Sequence, residues 1–184
     1  MIELIAFLGN PGTEYAGNRH NAGRLVAAAM PPREWKKRYK GLYAADGTTH
    51  FIMPETFMNL SGDSVVALTY FFKIPVEHIL VVHDELDLPL GTVSLKYSGG
   101  LNGHNGLRSL KARLGSGDFW RFRIGIGRPE HGSVFEWVLS DFSNGEKLVL
   151  AQVLPACAEL IQHLIEQEPE PFLPYWAKKK LLSP

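Results

Sequence analysis

The chain of 184 residues contains one cysteine, Cys157. A lone thiol cannot close an intramolecular disulfide or supply a cysteine-based metal centre. Cys157 lies in the apolar-periodic stretch VLPACAELIQHLI, where a small buried core residue is expected rather than a nucleophile. Long apolar runs are also lacking, and none reaches membrane-spanning length. The opening MIELIAFLGN has no charged n-region, long apolar h-region or small-residue cleavage site of a secretory leader. These absences predict a cytoplasmic protein with no membrane partner.

Net charge is absent too: 19 lysines and arginines balance 19 aspartates and glutamates. Several catalytic signatures are missing. There is no G-x-S-x-G nucleophile elbow and no P-loop, because no G-K-[ST] follows the glycine-rich SGGLNGHNG. No G-x-G-x-x-G follows the first apolar run, which disfavours a dinucleotide. H-E-x-x-H and H-x-x-x-H spacings are absent, so His20, His83, Asp84 and His104 make a metal-ligand set only on paper. No cofactor and no metal are expected.

The distribution of charge says more than its sum. REWKKRYK is strongly basic. Between Lys96 and Arg128 the cations Lys96, Arg108, Lys111, Arg113, Arg121, Arg123 and Arg128 are opposed by Asp118 alone. Lys178, Lys179 and Lys180 add a basic tail, while acids gather in DELD and between Glu159 and Glu170. This asymmetry allows a polyanion-binding face on a neutral protein.

Hydrophobic periodicity gives the elements. IELIAFLG reads as a buried strand ending at a glycine turn. NAGRLVAAAM reads as a helix stopped by Pro31-Pro32, and GLYAADGTTHFIMP as a hairpin about Asp46-Gly47. NLSGDSVVALTYFFKI has helical spacing and ends before Pro75; HILVVHDELD is a buried strand with acids at its end. GTVSLKY and WRFRIGIG read as strands, GLRSLKARLG as a helix with a glycine stop. NGEKLVLAQVLPACAELIQHLIEQ is a long helix expected to break or bend near Pro155. Strands alternating with helices predict an α/β class: residues 1–184 as a single-domain sandwich, a twisted mixed β-sheet flanked by helices.

Polar residues cluster where predicted strands end, the place where α/β folds build sites. LGNPGTEYAGNRHNAG carries Asn10, His20 and Asn21; ETFMNLSG carries Met58 and Asn59; VVHDELD carries Asp84; GLNGHNGL carries Asn102, His104 and Asn105. A histidine takes a proton from water near neutral pH, and a carboxylate on its other ring nitrogen sets the tautomer. With no serine elbow and no cysteine nearby, water is the natural client of such a base, so the chemistry is hydrolysis. Neutral carboxamides position an ester or amide without adding charge. Taken singly, each cluster is ordinary turn or helix-cap chemistry.

Five motifs in order, LGNPGTEYAGNRHNAG, ETFMNLSG, VVHDELDLPLG, GHNGLRSL and FRIGIGRP, resemble those of bacterial-type peptidyl-tRNA hydrolase over about the first three quarters of the chain. The resemblance implies a monomer that cleaves the ester between a peptide, or an N-blocked aminoacyl group, and the 3'-terminal ribose of tRNA, recycling the tRNA. It implies His20 as catalytic base and Asp84 as the acid that orients it. Asn10 would contact the substrate near the ester, and Asn59 would line the peptide side and take part in catalysis. Phe57 and Met58 would bind substrate beside it. His104 and Asn105 would contact the substrate and the water, Tyr15 would pack at the terminal ribose or adenine, and Asn21 would tie the site loops. Lys96 and Arg123 would grip a terminal phosphate of the tRNA, and the lysine tail would add diffuse attraction.

Two positions depart from the family pattern. Leu101 stands where a histidine is more usual, which removes a polar contact from the lid. Asn102 stands where glycine is more usual, which stiffens the loop if its φ is positive. Other readings remain open at this level: an inactive RNA-binding protein on the same fold, and a metal-dependent hydrolase.

Overall fold

Alternate residues of the first strand serve two different cores. The computed structural model describes residues 1–182. In β1 (Leu4–Phe7), Ile5 and Phe7 join one buried cluster, while Leu4 and Ala6, with Leu8 beyond the strand, join another. A strand covered on both faces must be apolar at both parities, which is why IELIAFLG is a run and not an alternation.

α1 (Ala22–Ala29) returns across the sheet, followed by β2 (Lys36–Arg38), β3 (Gly41–Asp46) and β4 (Thr49–Pro54). The β3–β4 hairpin turns after Asp46, with Gly47 at φ 56°. α2 (Ser61–Phe72) leads to β5 (Ile79–Glu85), β6 (Thr92–Tyr97), α3 (Asn105–Leu114) and β7 (Trp120–Gly125). α4 (Val134–Val138), α5 (Asn144–Glu166), α6 (Leu173–Trp176) and β8 (Lys179–Lys180) complete the described chain. The strands form one sheet in the order β2-β3-β4-β1-β5-β7-β6-β8. β4, β1, β5 and β7 are parallel neighbours; β2, β3, β6 and β8 pair antiparallel at the flanks. The mixed sheet between helical layers is the expected α/β class.

One core contains Val26 of α1 and Val153, Cys157 and Ile161 of α5; the other contains Val65 and Leu68 of α2 and Leu107 and Leu110 of α3. α1 lies very close to the sheet at Gly23. A Cβ there would sit 2.4 Å from the Val82 carbonyl oxygen and 2.7 Å from that of Leu8. Neither backbone atom can yield, so Gly23→Ala is expected to destabilise the fold by about 2–3 kcal/mol. A urea midpoint lowered without change in slope would show it; an unchanged midpoint would mean that α1 can lift away freely.

Four features differ from the sequence expectation. α5 runs unbroken through Pro155 for 23 residues. Its start is fixed by a capping box between Ser143 and Glu146, and its buried face carries Leu150, Val153, Cys157, Ala158, Ile161 and Leu164. Core packing of that length outweighs the local penalty of one proline, about 3 kcal/mol. The same helix is long and apolar enough in composition to cross a membrane, contrary to the reading that no such run exists. The basic REWKKRYK, given no element by the sequence periodicity, contains an edge strand: its Lys36–Arg38 pairs with β3, and exposed lysines there discourage further pairing. The lysine tail is likewise a strand: Lys179 and Lys180 register with Val93 and Thr92. β6 would otherwise leave an open edge of unpaired backbone groups.

Candidate active site

The first loop spends its carboxamides on holding itself together. Asn10 donates its backbone N–H to Asn21 Oδ1 at 2.9 Å, and Asn21 Nδ2 donates back to the Asn10 carbonyl at 2.9 Å. Asn10 Oδ1 accepts the backbone N–H of Met58 at 2.7 Å. That bond fixes the amide so that its Nδ2 donors are left for the cleft. Asn21 is buried behind the loop and does not line the cleft. Its two hydrogen bonds tie the Asn10 backbone to the turn before α1.

His20 sits in a 3-10 turn, Arg19–Asn21, just before α1, and Asp84 sits near the C-terminal end of β5. Both are buried. His20 Nδ1 lies 3.0 Å from each carboxylate oxygen of Asp84. His104 Nε2 lies 2.9 Å from Asp84 Oδ1. On its other side, His104 Nδ1 accepts the N–H groups of Gly106 and Leu107 and so caps α3. A nitrogen accepting backbone N–H carries no proton, so the Nε2 of His104 is the protonated one and donates to Asp84. His104 thus bonds Asp84 directly while also lining the cleft.

Electrostatics follow from this geometry. Burial alone would raise the Asp84 carboxyl, but His20 and His104 hold it far below the usual carboxylate range. An ionised Asp84 accepts only, so His20 Nδ1 must also be a donor. Its Nε2 makes no hydrogen bond among the described residues and is left for the cleft. Burial works to lower the His20 pKa, yet the charge of Asp84 and its hydrogen bond prevail and raise it above the ordinary histidine value. His83, on the opposite face of β5, donates Nδ1–H to the Asp84 carbonyl at 2.7 Å. Burial, then His104, push its pKa down to about 3, so it stays neutral.

Ligand atoms of His20, Asp84 and His104 lie within 4.8 Å of one another, close enough to hold a metal ion. The tautomers argue against it. Both imidazole nitrogens facing Asp84 carry protons, and freeing the His104 lone pair would end its cap on α3. The set fits a hydrogen-bonded relay better than a metal centre.

These groups open onto a cleft of about 570 Å³. Asn59 and Asn105 line it with exposed carboxamides, and Met58 supplies a buried apolar patch. Tyr15 meets Phe57 edge-on at 6.3 Å along the rim. Lys96 and Arg123 also line the cleft, with different freedom. Arg123 is engaged by Glu85 at 3.3 Å and by Ser94 Oγ at 2.7 Å, whereas Lys96 has no hydrogen bond or ion pair among the described residues.

Three residues in or beside the cleft wall were not singled out for a role by the sequence: Arg121 and Glu85 line it, and Asp87 lies next to it in the chain after Leu86. Arg121 is buried and donates to the carbonyls of Gly100 at 2.6 Å and Gly99 at 2.8 Å, which anchors the glycine-rich loop. Its signal was the alternation of Arg121 with Arg123, which places both on one strand face. Glu85 and Asp87 of DELD hold the tip of the same loop. Asn102 Nδ2 donates to Asp87 Oδ2 at 2.9 Å and to Glu85 Oε1 at 3.3 Å. Asn102 has φ 47°, the condition under which stiffening is expected. Leu101 is half-buried against the α2–α3 core, so its side chain contributes packing to the loop.

The fold and this site define an α/β enzyme built around a histidine that a buried aspartate orients. The family model described as peptidyl-tRNA hydrolase matches residues 4–181. The chain belongs to the peptidyl-tRNA hydrolase family. It is 43% identical over 174 residues to peptidyl-tRNA hydrolase of Pelobacter propionicus, covering 90% of each chain. It is 43% identical over 197 residues to that of Treponema pallidum, covering 99% of this chain and 98% of the relative. The crystal structure of peptidyl-tRNA hydrolase from Acinetobacter baumannii superposes with a TM-score of 0.78 at 35% identity, covering 96% of both chains.

Proposed function

We propose that this protein is a metal-independent esterase that frees tRNA from peptidyl-tRNA by cleaving at the 3'-terminal ribose. Residues 1–184 would act as one domain, as a monomer and in the cytoplasm. The observation that carries the reading is the buried His20–Asp84 pair, with the second ring nitrogen of His20 turned to the cleft. Water held near Asn105 gives its proton to His20 Nε2 as its oxygen attacks the ester carbonyl carbon. Asp84 steadies the imidazolium that forms. The bond from carbon to the ribose oxygen then breaks, and His20 returns the proton to that oxygen. The free Nδ2 of Asn10 and the carboxamide of Asn59 donate to the carbonyl oxygen as charge develops on it. Tyr15 offers a ring for the terminal base or ribose to pack on.

A phosphate near Lys96 would meet an unpaired ammonium first and Arg123 second, since Arg123 already has Glu85. Fixed cations of this kind make binding salt-dependent. An inactive RNA-binding protein would have no use for a buried His20–Asp84 pair joined by His104, and no observation favours it.

Release of an N-acetylaminoacyl group from tRNA by the purified protein, with a chelator present, tests the reading. Release is expected to persist in chelator, with KM rising as salt is added. Activity that vanishes in chelator and returns with zinc would replace the histidine base by a metal mechanism.

A further inference from the structure

Arg19 precedes His20 and is as deeply buried as the relay itself. All its outward contacts go to one distant segment. Its guanidinium carbon lies 3.7 Å from the ring centre of Trp137. Its NH1 donates to Ser140 Oγ at 2.7 Å and to the Asp141 carbonyl, and its NH2 pairs with Glu146 at 2.6 Å. The Arg19 backbone N–H donates to the Ser140 carbonyl at 3.0 Å, and Asn18 Nδ2 donates to Asp141 Oδ1 at 2.6 Å.

The segment so gripped carries α4, a helix with two uses. Trp137 faces Arg19, and its indole N–H donates to the Gly127 carbonyl at 2.8 Å. Val134, Phe135 and Val138, with Leu139 after them, line the cleft that holds His20. Phe135 is 70% exposed, so its ring is left uncovered at the cleft.

We propose that Arg19 is a positioning residue that fixes the α4 wall at a set distance from His20, and that this wall receives the apolar side chain of the residue esterified to tRNA. The proposal rests on the cleft being the active site described above. A planar cation held at once by an aromatic face, the hydroxyl of Ser140, the carbonyls of Ser140 (3.3 Å) and Asp141, and the Glu146 carboxylate has one orientation, which lysine cannot reproduce. The step from base to wall is then a single rigid link: His20, Arg19, Trp137, Phe135.

The test compares N-acetylphenylalanyl-tRNA with N-acetylglycyl-tRNA as substrates. In Arg19→Met, KM for the phenylalanyl substrate is expected to rise about tenfold and that for the glycyl substrate about twofold, with kcat within about threefold. The acid limb of the pH profile is expected to stay in place, because the His20–Asp84 pair is untouched. Arg19→Lys should resemble Arg19→Met. Glu146→Gln, at the partly exposed end of the clamp and tolerated if the larger change prevents folding, should shift KM in the same sense by about twofold to threefold. The indole N–H signal of Trp137, assigned by its loss in Trp137→Phe, should move in each Arg19 and Glu146 variant and reports the clamp without any turnover. Equal KM changes for the two substrates, or unchanged KM, would overturn the proposal, as would a stationary indole signal. A wild-type protein that releases neither group would instead overturn the function proposed above.

Discussion

His20→Ala is expected to lower the rate of ester release by about 10²–10⁴-fold while leaving tRNA affinity within about twofold. The reason is positional. His20 is almost fully buried, and only its Nε2 side is free of partners, so truncation removes a proton acceptor and little binding surface. The phosphate and base contacts proposed above would lie elsewhere, at Lys96, Arg123 and Tyr15, all of which line the cleft. The residual rate would come from the carboxamides that still orient the ester. Single-turnover release with tRNA binding measured in parallel separates the two effects. A variant that binds poorly but turns over normally at saturation would assign His20 to binding instead.

Asp84→Asn should be nearly as damaging, by about 10²–10⁴-fold, and should also move the pH profile. The sign follows from the causes acting on His20. Burial lowers its pKa; the Asp84 charge and hydrogen bond raise it, and the net effect is upward. The working form of the base is neutral, so wild-type kcat/KM is expected to fall as pH drops through a value above about 6.5, the ordinary histidine pKa. Removing the carboxylate removes both raising influences and leaves burial. The acid limb of the variant should therefore shift to lower pH even as its plateau falls. A limb that shifts upward, or stays with a full plateau, would contradict the assignment of Asp84.

Much of this site is legible in the chain itself. Asp84 closes an apolar run, and such a run must be a covered strand whose end opens at the sheet edge. His20 and Asn10 follow the first strand, which is β5's neighbour, so both reach the same place. What the sequence hides is long-range. The proton-bearing nitrogen of His104 is set by its cap on α3, a geometric fact with no compositional trace. The hydrogen-bond partners of the Arg19 side chain lie between 121 and 127 residues away, so no local pattern marks it as special. β8 is two residues long and exists only because β6 leaves an edge to fill. Pro155 misleads for the opposite reason: its local preference is clear, but the core of α5 overrides it. Asn102 shows the boundary well, since its stiffening depended on a backbone angle that only the fold could give.

The most direct test of a water-activating His20 is the nitrogen NMR spectrum of its ring in the wild-type protein, recorded above its pKa. The expected result is a proton on Nδ1, held by Asp84, and a bare Nε2 facing the cleft. A proton on Nε2 would leave no lone pair to accept from water, and would contradict the mechanism whatever the mutants do.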